Sequence, residues 1–271
     1  MATQNDCDMM INEFEQRMII TEKQKSIWEH ILDVIEYKPE NQKTYITGDQ
    51  IKNCKTSWKG KSNQFEPRLL CKQDSEEKRP DIFKKYGLCI LSVKNGTYLL
   101  TKQNIYIPLL KFFSPPKKIK KISDSLLLEI GNSETSMLDN LHYNGVLQEI
   151  LEEEDIKGPF LGGRHRCNFK TIFDGEELEI KSSQYETDGC YETKNQVCLV
   201  EVKSIPMESF NIRQLYYPFR SVHNAVKGKK KVTALFIFKD KNSLIHIHHY
   251  KWNNPLVMMD ISLISYYCYT F

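Results

Sequence analysis

Residues 184–204 read QYETDGCYETKNQVCLVEVKS. A single acidic residue, Asp188, is followed by a polar turn through Lys194, Asn195 and Gln196, then by the apolar run from Val197 to Val202. Alternate residues of a strand point to one face, so Leu199, Glu201 and Lys203 share a side. Val197, Val200 and Val202 make this strand apolar enough to bury. The turn returns the chain beside Asp188. Two carboxylates and an ammonium at a sheet edge are what Mg²⁺-assisted hydrolysis of a phosphodiester requires. Hard oxygen donors hold the ion, the ion activates water, and Lys203 orients that water or offsets phosphate charge. Taken alone, this D…E-x-K spacing is weak evidence, because charged ends of apolar strands are common.

The surroundings add to it. QYETDG carries Gln184, Glu186, Asp188 and Gly189, EVK carries Glu201 and Lys203, and FNIRQLYYPFR carries Arg213, Gln214, Tyr217 and Arg220. Together they resemble type II restriction endonucleases of the PD-(D/E)xK nuclease superfamily, over about residues 123–250. Thr187 stands where the family name has Pro, a departure that leaves the metal chemistry untouched. The resemblance implies an α/β fold: a restriction-endonuclease-like mixed sheet core flanked by helices, in the order helix, three-strand meander, helix, strand. It implies cleavage of double-stranded DNA at specific sites with Mg²⁺, or Mn²⁺ in its place. Asp188 and Glu201 would be the metal ligands and Lys203 the water-orienting residue. An acidic residue from the first core helix would stand near the metal; Glu134 is the candidate and Glu149 its competitor. A homodimer and a DNA methyltransferase of matching specificity are the implied partners. A repair or junction-resolving nuclease on the same core, and a DNA-binding protein with a vestigial nuclease fold, are the rival readings.

The chain has 271 residues, enough for one large or two small domains, with 40% hydrophobic and 27% charged residues. A net charge of +3 makes no global demand for nucleic acid, so local clusters at PPKKIKK (115–121) and KGKKK (227–231) matter more. None of the eight cysteines forms a CxxC pair, which argues against a zinc knuckle. Several sit inside apolar runs and read as small core residues. With no signal peptide and no long apolar span, the expectation is a reduced, cytoplasmic protein without membrane contact.

The pattern predicts an N-terminal region over 1–116 and a catalytic domain over 117–271, joined near Ser114-Pro115-Pro116. Residues 8–37 read as helix, with Thr21 and Gln24 as a capping box and a stripe of Ile27, Trp28, Ile31, Leu32 and Ile35. In 44–110, two short helices precede a hairpin signalled by Asn95-Gly96. This suggests a winged-helix-like unit, with Lys52, Lys55, Lys59, Lys61 and Arg68 as phosphate contacts or as exposed charges on a structural cap. The catalytic half predicts a helix over 133–153, strands at 167–173, 177–188 and 197–204, a helix over 209–226, and strands at 232–238 and 244–250. In strand 177–188, Leu178, Ile180, Gln184, Glu186 and Asp188 share parity, which makes Glu186 an alternative ligand. Arg213, Tyr217 and Arg220 fall on one face of the 209–226 helix. Gln214 reaches towards the active site. The arginines contact phosphates or serve packing. Arg164, His165 and Arg166 in GGRHRC could approach DNA or simply turn the chain. His246 and His248 share a strand face, but without a Cys or carboxylate partner they read as polar exterior residues rather than a metal site.

Overall fold

The structure, a computed structural model, describes residues 27–60, 64–112, 115–131 and 133–271. Most of the 8–37 helix, its capping box at Thr21 and Gln24, and also Lys61 and Ser114 lie outside the described residues. The chain divides into two compact units between Asn104 and Ile105. The expected boundary stood at 116. The difference arises because residues 106–108 pair with residues 209–211 of the second unit.

The first unit begins with helix α1 (27–34), followed by β1 (Lys43–Thr47), α2 (Gly48–Asn53), α3 (Pro67–Leu70), α4 (Asp81–Tyr86), β2 (Cys89–Lys94) and β3 (Thr97–Thr101). The α1 stripe of Ile27, Trp28, Ile31 and Leu32 is buried against Ile51, Leu70, Phe83 and Leu100. Trp28 stacks edge-on to Phe83 at 4.7 Å and donates its indole N–H to the Leu70 carbonyl at 3.1 Å. Thr47 and Gln50 form a capping box on α2. The Asn95-Gly96 hairpin forms as the sequence predicts, with Gly96 at φ +72°. The three strands are antiparallel in the order β1-β3-β2.

The second unit contains β4 (Tyr106–Pro108), β5 (Lys117–Lys118), α5 (Glu134–Tyr143), α6 (Val146–Leu151), β6 (Lys157–Phe160), β7 (Gly163–Phe173), β8 (Glu176–Thr187) and β9 (Gly189–Glu192). It continues with β10 (Gln196–Lys203), β11 (Ser209–Asn211), α7 (Arg213–Val226), β12 (Lys231–Lys239), β13 (Ile245–Trp252) and β14 (Ile261–Thr270). A seven-stranded mixed sheet runs β5-β14-β13-β12-β10-β9-β6. β9 and β10 form the expected antiparallel hairpin, whereas β10 and β12 are parallel and joined through α7. Parallel neighbours need such a crossover helix. Cys198, Val200 and Val202 of β10 pack with Leu138, Leu141, Leu147 and Ile150 of α5 and α6. The alternate residues, including Glu201, turn to the face that carries Gln214 of α7. The fold is therefore mixed α/β, with mixed sheets and flanking helices.

Three expected elements differ in detail. The helix over 133–153 breaks into two at Asn144-Gly145, where Gly145 takes φ +79°. The segment 209–226 opens with the short strand β11 before α7 begins. The parity of 177–188 fails. Register slips between Cys167 and Asn168, leaving Ser182 (φ +50°) as an extra residue on β8. A bulge of one residue switches which side chains face inward. Leu178 and Ile180 are buried, then Ser183, Tyr185 and Thr187, while Glu186 is exposed. Glu186 therefore does not share the face of Leu178 and Ile180, and Asp188 lies just beyond the strand.

Among the described residues, Cys54, Cys89, Cys167, Cys190, Cys198 and Cys268 are buried cysteines in no disulfide, and Cys71 is half-buried. No helix among these residues is long and apolar enough to cross a membrane.

Candidate active site

Asp188 occupies the short link between β8 and β9. Its N–H donates to the Val200 carbonyl at 3.2 Å, and its Oδ2 accepts from the Val202 N–H at 2.7 Å. These two bonds bracket Glu201 and hold Asp188 across β10 from it. Here the Asp188 side chain replaces the main-chain acceptor that a continued ladder would offer Val202. Thr187, the departure from the family name, is buried, and its hydroxyl donates to the carbonyls of Gly189 and Val200 at 3.1 and 3.3 Å. Proline could supply no such donor, so this hydroxyl ties the bend together.

Lys203 Nζ donates to Glu201 Oε1 at 2.6 Å and to the Val202 carbonyl at 3.1 Å. The Lys203 and Glu201 side chains are 17% and 10% exposed, so their charges interact in a poorly solvated setting. Gln214 Nε2 donates to the same Glu201 oxygen at 3.0 Å. Its Oε1 is buried and unpartnered among the described residues. Glu134, at the start of α5, accepts the Ser204 N–H at 3.2 Å. The expected first-helix carboxylate thus reaches the end of β10, while Glu149 instead pairs with Lys117 at 2.6 Å and accepts from Tyr269.

Burial pushes the Asp188 carboxyl above the usual carboxylate range. The Val202 N–H and Lys203 pull it back, and Glu134 and Glu186 push it further up. Burial disfavours the Lys203 charge, but Glu201 first, then Glu134 and Asp188, more than reverse this and hold the ammonium above its ordinary range. Three carboxylates thus act on one ammonium, leaving a local surplus of negative charge. Among the described residues, no group of three His, Cys, Asp or Glu side chains is gathered in a ligating arrangement. A cavity of about 230 Å³ lies beside this centre, lined by Ser133, Ser136, Asn140, Ser204 and Lys239 among others, but not by Asp188 or Glu201.

The other expected residues divide by place. Arg213 donates to the Gln184 carbonyl at 3.1 Å and lies over the Tyr217 ring. Tyr217 is fully buried against Phe169. Arg220 is 4% exposed, over the Phe169 ring and within 3.4 Å of the Lys170 carbonyl. Tyr217 and Arg220 are packed side chains, the packing alternative of the two readings of this helix face. Arg164 pairs with Glu186 at 2.8 Å on the surface, and Arg166 is exposed opposite Gln184. In the first unit, Lys52, Lys55, Lys59 and Arg68 are exposed. His246 is held by Asp240 at 3.1 Å and Tyr266 at 2.7 Å, and His248 by the Leu110 carbonyl at 2.8 Å, so both are buried core histidines rather than exterior ones, and His246 does have a carboxylate partner. Sequence reading missed the main-chain donors of Val202 and Ser204, since backbone groups carry no residue signature.

Residues 101–270 match a family described as domain of unknown function DUF6997, and residues 25–100 match domain of unknown function DUF6996. No curated protein and no solved structure matches the chain.

Proposed function

We propose that this chain, which belongs to the DUF6997 family, is a Mg²⁺-dependent endonuclease cutting double-stranded DNA at specific sites, in the manner of type II restriction enzymes. One observation carries the reading: the Asp188 side chain is fixed across β10 from Glu201 and Lys203, with Glu134 at the same strand end. The donor set fits a hard divalent cation. It offers carboxylate oxygens in partial burial, with negative charge in excess of the single ammonium. Asp188 and Glu201 would hold Mg²⁺, or Mn²⁺ in its place. When bound, the ion supplies Lewis-acid neutralisation of phosphate charge and a more acidic water.

The remaining chemistry belongs to the chain. Lys203 presents a compact ammonium that orients the attacking water and balances charge growing on the phosphate. Gln214 fixes the Glu201 carboxylate through its amide N–H. The buried floor of β10 excludes bulk water from one side, which strengthens each of these interactions. The order of elements supports the superfamily reading: α5, strands leading to β10, then α7 and the parallel β12. In the first unit, the succession α1, β1, α2, α4, β2, β3 with sheet order β1-β3-β2 supports a winged-helix-like arrangement. A homodimer follows from cutting palindromic duplexes, and a methyltransferase protecting the same site is its expected companion. The test is incubation with plasmid DNA and Mg²⁺, with and without excess EDTA. Discrete fragments that vanish with EDTA support the proposal; undiminished cutting in EDTA, or none in Mg²⁺, sinks it.

A further inference from the structure

The ribbon formed by β7 and β8 has two different faces. One is buried, with Phe169, Thr171, Ile180, Ser183 and Tyr185 inward. The other shows a graded row of polar side chains. At the end nearest Asp188, Arg164 is ion-paired to Glu186. Towards the tip, Lys170 is ion-paired to Glu177 at 2.7 Å, and Asp174, Glu176 and Glu179 make that end acidic. Between them stand Arg166, facing Gln184, and Lys181. Among the described residues these three side chains have no ion pair or hydrogen-bond partner. Asn168 uses its Oδ1 to accept the Ser182 N–H at 2.9 Å, which pins the bulge.

We propose that this middle stretch is a base-reading surface for the major groove, with Arg166 and Gln184 as its specificity-determining residues. The proposal rests on duplex DNA being the substrate. Sheet strands as well as helices present side chains to base edges in the grooves, and Arg and Gln are the side chains that bond guanine and adenine edges in pairs. The bulge strengthens the local twist, which suits a ribbon to a helical groove. Charge complements the duplex only over the proximal half; the acidic tip repels phosphate and limits the footprint. β8 runs directly into Asp188. Gln184 lies four residues earlier, which is ~13 Å of strand. Laid along the groove, that is about four base-pair rises. The bases read by Arg166 and Gln184 therefore lie within a few pairs of the cut.

The experiment selects bound duplexes from a randomised library in Ca²⁺ and then tests the selected duplexes for cleavage in Mg²⁺. The wild type yields a preferred sequence. Arg166→Ala and Gln184→Ala each lose ~10–100-fold discrimination at one base position. Arg166→Lys loses that discrimination while keeping its affinity for unselected DNA. Lys170→Ala, at the distal ion pair, keeps the preference, and thermal melting confirms that each variant folds. Retention of the wild-type preference by both Arg166→Lys and Gln184→Ala overturns the proposal. So does uniform weakening on all sequences by Arg166→Ala with Arg166→Lys unchanged, which marks a phosphate contact. A wild type that cuts without preference overturns the ribbon and leaves the nuclease reading intact. A wild type whose preference is erased by Arg166→Ala, but which never cuts, removes the nuclease reading and leaves the ribbon.

Discussion

Asp188 carries the sharpest conflict between stability and activity in the chain. Its carboxyl is raised mainly by burial, so the folded state favours the protonated form. A group of that kind contributes stability below its unfolded pKa and loses it as pH rises through the folded one. At neutral pH the ionised Asp188 is therefore a destabilising residue. Asp188→Asn keeps an oxygen acceptor for the Val202 N–H and removes the charge. We expect it to melt higher than the wild type at pH 7, with the gain shrinking as pH falls towards the carboxylate range. The same variant should lose at least ~100-fold in cleavage, because even outer-shell partners of a metal are worth 10–100-fold. Melting curves at two pH values and a plasmid assay read both. Lys203→Arg should fail as completely as Lys203→Ala, because a planar guanidinium cannot replace a compact ammonium held 2.6 Å from Glu201. Wild-type turnover in Lys203→Arg would place the water-orienting role elsewhere.

At the scale of elements, β8 depends on one surplus residue. Deleting Ser182 would restore simple alternation with Ser183, Tyr185 and Thr187 still inward, but it would remove the bend and added twist of the bulge. The expected outcome is a cooperative melt with Asp188 displaced, seen as a sharp decrease in cleavage by a folded chain. Ser182→Gly keeps the bulge at its positive φ and should stay within ~1 kcal/mol of the parent. A deletion variant with wild-type cleavage would show that the bend of the bulge does not place Asp188. β13 makes a separate prediction. Burial lowers His248 and His249 to about 4, against 6.5 when unfolded. The unfolded chain then binds more protons between those values, so stability present above pH 6.5 is lost as pH falls to about 4. Urea midpoints measured across that window should fall steadily in the wild type and less steeply in His249→Gln. These elements also show what the sequence could carry. The β9–β10 hairpin, the parity of Glu201 with Lys203 and the α1 stripe were legible because periodicity and turn chemistry are local. The Ser182 bulge was not, since a serine at positive φ looks like any other serine. The burial of Tyr217 and Arg220 was not either, because it depends on Phe169, some fifty residues away. β6 and β14 were not legible because short or mixed strands lack a clean alternation.

At the scale of the whole chain, DNA affinity would draw on both units, and salt dependence separates their parts. Lys52, Lys55 and Lys59 are exposed on the first unit. If they neutralise phosphates, replacing them together should flatten log affinity against log salt by ~0.9 for each phosphate no longer neutralised, without changing sequence preference. An unchanged slope in the folded triple variant would assign these lysines to solvent alone.

The buried thiols give the protein an internal clock. Cys190 and Cys198 sit on the two strands of the β9–β10 hairpin, and burial raises both to about 12. A thiol in that state does not react with an alkylating reagent until its strand opens. Cys54 and Cys89 of the other unit are buried cysteines in no disulfide as well. The rate at which each cysteine acquires a label therefore measures how often its own part of the fold comes apart. If DNA and metal clamp β9 onto β10, labelling of Cys190 and Cys198 slows on binding, and no engineered probe is needed to record it.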